Sequence, residues 1–101
     1  MVLIGDTTNA FMTVGLTVNQ GTADNEIISL KSSDVAHGAT AIAEADTYAL
    51  FRKPGLGADG GLLMQTFTEA TLSYRVQGIS TTNDTTKSTA AVANINLLAW
   101  C

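Results

Sequence analysis

A chain of 101 residues and 10.5 kDa fits one domain with a single modest core, so residues 1–101 are taken as one module. Charged residues make up only 14% of the sequence against 46% hydrophobic, so the polar surface must come from Thr, Ser, Asn and Gln; a surface so poor in charge favours self-association. The net charge of −4 and the scatter of Lys31, Arg52, Lys53, Arg75 and Lys87 along the chain argue against nucleic-acid binding.

The N-terminus, Met1-Val2-Leu3-Ile4-Gly5, has neither a basic start nor a long apolar stretch. No run of about 18 apolar residues follows, so neither membrane insertion nor a secretory signal is expected, and synthesis in a cytosol is. Strict alternation comes first at Met12, Val14, Leu16 and Val18, with Thr13, Gly15 and Thr17 between them, the pattern of a half-buried strand that Asn19-Gln20-Gly21 ends. Residues 26–31 predict a second short strand, rich in β-branched side chains.

Residues 34–47 are ambiguous. Ser33 or Asp34 could cap a helix, while Gly38 and Thr40 interrupt it, so at most one short helix is expected. Residues 48–53 and 62–67 read as strands joined by the glycine-rich stretch 54–61, a hairpin with a long tip. Leu72, Tyr74 and Val76 alternate with Ser73, Arg75 and Gln77, which predicts a further strand with Tyr74 on its inward, core side. A polar, low-complexity link over 78–89 leads to a last strand-like segment, 91–100, with Ala93, Ile95, Leu97 and Ala99 on one face.

These short strands, separated by Gly, Asn, Asp and Thr turns and without a fixed-period repeat, predict an all-β fold. The expected architecture is short antiparallel strands in a small sandwich or an intertwined, trimeric, fibre-like module. Leu16, Ile28, Leu30, Leu72, Val76, Ile95 and Leu97 should lie in the core or between chains.

Chemical motifs are present only in fragments, and no enzymatic activity is expected. Gly55-Leu56-Gly57-Ala58-Asp59-Gly60 matches the glycine pattern of dinucleotide sites, but Pro54 precedes it and a strand, not a helix, follows. Lys87-Ser88-Thr89 lacks the glycine cradle of a phosphate-binding loop. His37, near Ser32, Ser33 and Asp34, could belong to a hydrolytic set, yet a thin β module offers no cleft or oxyanion hole, so a histidine bonded to backbone is the expectation.

One histidine and one cysteine cannot build a four-ligand zinc site, and Asp24, Glu26, Asp59 and Asp84 lack the spacing of a calcium loop, so no metal or cofactor is expected. Cys101 cannot form an internal disulfide. Asn83-Asp84-Thr85 fits a glycosylation acceptor, a pattern that matters only in a secreted eukaryotic protein. Tyr48 and Trp100 are the candidate ligand contacts, as aromatic rings able to stack on sugars.

Residues 15–21, GLTVNQG, and 26–38, EIISLKSSDVAHG, with 44–48, EADTY, 60–62, GGL, and 81–90, TTNDTTKSTA, resemble in order a segment of bacteriophage tail-fibre-like structural proteins, mostly of environmental or prophage origin. The resemblance implies a structural or host-adsorption role in a virion, as one domain of a longer polypeptide, with no catalytic residue set to carry over. Stopping at Cys101 without the downstream regions of such fibres suits a free-standing relative or an excised module. The expected partners are copies of the chain itself in a homotrimer, other virion proteins and a host surface glycan. The alternatives are a glycan- or receptor-binding fibre tip and a subunit of an open helical filament.

Overall fold

The best-buried segment of the chain is Thr47–Arg52, and it becomes the middle strand of a three-stranded sheet in a computed structural model that describes residues 1–82, 84–88, 93, 95, 97 and 99. Five strands are present among the described residues: β1 (Val2–Ile4), β2 (Leu16–Val18), β3 (Ile28–Lys31), β4 (Thr47–Arg52) and β5 (Leu63–Thr66). No described residue is helical, so the fold is all-β.

The larger sheet has the order β3-β4-β5, with both neighbours antiparallel to β4. In register, Ile28 faces Phe51 and Phe51 faces Met64, while Leu30 faces Ala49 and Ala49 faces Thr66. Opposed residues in a sheet project to the same side. One face therefore carries Ile28, Leu30, Ala49, Phe51, Met64 and Thr66; the other carries Ser29, Leu50, Arg52, Leu63 and Gln65. A register shift between Leu30 and Lys31 kinks the far end of β3. The expected hairpin of β4 and β5 forms, with the glycine-rich stretch as its tip.

Residues 34–47 make turns rather than a helix: Ile42 and Ala43 both donate to the Ala39 carbonyl, and the chain then bends into β4 through Thr47 N–H to Glu44 O, 2.9 Å. The only buried apolar side chains among the described residues are Ala49 and Leu50, the latter 1% exposed, beside buried Thr47 and His37.

The smaller sheet departs from the expected antiparallel pattern, because β1 and β2 run parallel. The loop between them turns at Gly5, whose φ of +74° lies in the left-handed region, where a Cβ would also strike the Asn19 carbonyl oxygen. Val2 N–H to Gly15 O (2.7 Å) and Asn19 N–H to Ile4 O (2.8 Å) close the two ends. Only residues 16–18 of the alternating stretch beginning at Met12 are strand; residues 13–15 bend, with Gly15 at φ +153°.

The expected strand at 72–76 is absent, and Tyr74, assigned to the core, is exposed. Among the described residues, no strand pairs with that segment. The segment 91–100 lies mostly outside the described residues.

Candidate functional site

A groove of about 620 Å³ opens on the Leu50 face of the larger sheet, lined at its base by Leu50, Arg52 and Gln65, along one wall by residues 40–44, and at its end by Asn25 and Glu26. Arg52 and Gln65 stand on neighbouring strands, and Arg52 Nε donates to Gln65 Oε1 at 3.2 Å. This bond uses one of the five guanidinium N–H groups. Arg52 forms no ion pair among the described residues.

Glu44, on the wall, is held by Lys31, which also reaches Asp46 Oδ1 at 3.2 Å. Glu44, and then Asp46, hold the Lys31 ammonium above the ordinary lysine value. Sequence reading missed this groove, because Arg52 and Gln65 are thirteen residues apart and only the β4–β5 register brings them together.

His37 is 4% exposed. Its Nδ1 accepts the Ala39 N–H at 3.1 Å, its backbone N–H donates to Ala45 O, and its ring stacks on Phe67 with centroids 4.8 Å apart. Nδ1 is therefore the acceptor nitrogen, the reverse of the tautomer a hydrolytic triad uses. Nε2 is buried without a hydrogen-bond partner, and Ser32 Oγ instead accepts the Asp34 N–H. The neighbouring hollow of about 440 Å³ is lined by Thr66, Glu69 and Ser73 among others, but Ser73 Oγ is engaged with Thr66 Oγ1 at 2.8 Å.

The glycine-rich tip is a loop between strands, clipped by Lys53, which donates to Gly57 O at 2.7 Å and pairs with Asp24 Oδ1 at 2.5 Å. The Lys53 ammonium holds the Asp24 carboxyl below the usual aspartate value, against a smaller opposing effect of burial. No helix N-terminus meets these glycines, so the dinucleotide arrangement does not form. At the polar link, Asp84 Oδ1 accepts the Thr86 N–H at 2.8 Å, a local turn just before Lys87. Among the described residues no cluster of His, Cys, Asp and Glu could hold a metal ion, and no helix is long and apolar enough to cross a membrane.

The seven residues expected in the core or between chains, Leu16, Ile28, Leu30, Leu72, Val76, Ile95 and Leu97, are all exposed, at 39% to 92%. None contributes to the core of its own chain. Ile28 and Leu30 form, with exposed Met64 and half-buried Phe51, a continuous apolar row on one face of the larger sheet. Tyr48 is exposed at the start of β4; Trp100 and Cys101 lie outside the described residues, as does Asn83 of the glycosylation pattern. No family model, curated protein or solved structure matches the chain.

Proposed function

We propose that the chain is a non-enzymatic structural subunit that self-associates, as a homotrimer, through its apolar strand faces, within a phage tail fibre or related virion-surface assembly. The observation that carries the self-association is the surface left open. The chain exposes 8347 Å², whereas a compact monomer of this mass exposes about 5,400 Å². A chain with so much open surface and so few charges on it has apolar area to bury against a second copy. Its radius of gyration, 18.2 Å, likewise exceeds the roughly 13 Å of a compact chain of this length. The Ile28, Leu30, Phe51 and Met64 row supplies the adhesive surface.

The virion context is supported by the resemblance of residues 15–21, 26–38 and 81–90 to tail-fibre-like proteins. Light scattering should give about three times the mass of one chain, and denaturation midpoints should fall on dilution. A folded monomer that persists at nanomolar concentration would overturn the proposal. Electron microscopy separates a closed trimer from an open filament.

The Arg52 groove favours a second reading, a receptor- or glycan-binding tip. A guanidinium beside Gln65, Asn25 and Thr40, with Leu50 at the base, suits a sugar whose carboxylate meets Arg52 and not the Glu26 and Glu44 carboxylates that also line the groove. A glycan array that includes uronic and sialic acids tests it: binding that Arg52→Ala abolishes supports a tip, and an array without binding removes it.

A further inference from the structure

We infer that residues 72–76 of one copy add as a strand to the open edge of β3 in a second copy, so that chains join by strand exchange. The inference rests on the self-association proposed above and specifies its geometry.

Residues 72–76 carry the alternation of a strand, Leu72, Tyr74 and Val76 against Ser73 and Arg75, yet make no backbone–backbone hydrogen bond, and all five side chains are exposed. A segment with the pattern of a sheet and no sheet to join has an unmet pairing capacity. The larger sheet offers two edges.

That of β5 is obstructed, since Ser73 of the same chain sits on the Thr66 hydroxyl and carbonyl. That of β3 is open, with all four residues exposed. Edge lysines normally discourage pairing, but Lys31 is drawn into ion pairs with Glu44 and Asp46. Five extended residues span about 17 Å, enough to cover a four-residue strand. Beside β3, Leu72, Tyr74 and Val76 would lengthen the apolar row begun by Ile28 and Leu30.

The charges agree as well. Arg75 and Glu26, the residue two before β3, each lack an ion-pair partner among the described residues, and strand addition brings opposite charges to one edge. Because every copy has one donor segment and one acceptor edge, the contact is head-to-tail, giving a ring where the rotation between copies closes and a filament where it does not.

Tyr74→Pro tests the inference on the full chain, since it removes a ladder donor from a segment that makes no backbone bonds within its own chain. Val76→Lys, which keeps the backbone N–H but charges the apolar row, is the second variant. Mass is read by light scattering across a concentration series, with far-ultraviolet circular dichroism as the check on fold. The expected result is a wild-type oligomer and, in both variants, a β spectrum that keeps the signal of β1–β5 and lacks only that of the added strand, with the half-dissociation concentration raised about tenfold or more. A variant that keeps both the β spectrum and the wild-type mass profile overturns strand exchange and leaves self-association standing. A wild-type chain that is monomeric throughout overturns both.

Discussion

Gly5 is the residue whose replacement has the most local and most readable effect. A side chain there must hold φ near +74° and push against the Asn19 carbonyl. Gly5→Ala should cost about 1–2 kcal/mol, and hydrogen exchange should quicken at the β1 and β2 amides while the larger sheet keeps its protection. Asp24 gives the pH signature. Its carboxyl, held low in the folded chain by Lys53, contributes stability that is present above the unfolded aspartate value of about 3.9 and is lost as pH falls through the lower folded value. Melting temperature between pH 6 and pH 2.5 should therefore fall less steeply in Asp24→Asn than in the parent chain. His37 was legible as a backbone-bonded residue, because short loops with few charges offer little else for an imidazole to meet. Tyr74 was not, since alternation gives a side chain's phase along a strand but not whether anything lies above it.

Among the elements, β4 holds the larger sheet together. Leu50 is the apolar side chain most completely withdrawn from water, and Leu50→Ala should cost about 3 kcal/mol, enough to melt β3, β4 and β5 together in a denaturant titration followed by circular dichroism. The β4–β5 hairpin could be read directly from its sequence, because Pro54 and the glycines that follow enforce the tip and two β-prone runs flank it. β1 escaped notice because three residues at a terminus carry too little periodicity. The Met12 alternation misled in part: Thr17 and Asn9 side chains bond across it, Asn9 Nδ2 to Thr17 Oγ1 at 3.0 Å, and the loop folds on itself before Leu16. The Arg52 groove depends on register and on the path of residues 40–44, which local composition does not encode.

Taken whole, the chain leaves many large apolar side chains open to water. Among the described residues, two buried apolar side chains in one strand supply little of the hydrophobic stabilisation a domain needs; in the proposed assembly, burial between chains would add to it. Ile28→Asp and Met64→Lys, which place charge on the open apolar row without touching Leu50, should weaken association; sedimentation velocity at micromolar concentration should show the smaller species. Low charge raises the expectation of self-association from composition alone, whereas the surfaces proposed for it depend on Ile28, Phe51 and Met64 standing side by side, which only the strand register shows.

The exposed stretch around residue 75 also makes the chain a reporter of its own state to a protease. Arg75 and Lys87 both lie on exposed backbone, while Lys31 and Lys53 are anchored by carboxylates. Trypsin should cut a lone chain readily after both. In the strand-exchanged assembly the bond after Arg75 would be sheltered in a ladder and the bond after Lys87 would remain open, so the ratio of the two cleavage rates measures the fraction of chains that have found a neighbour.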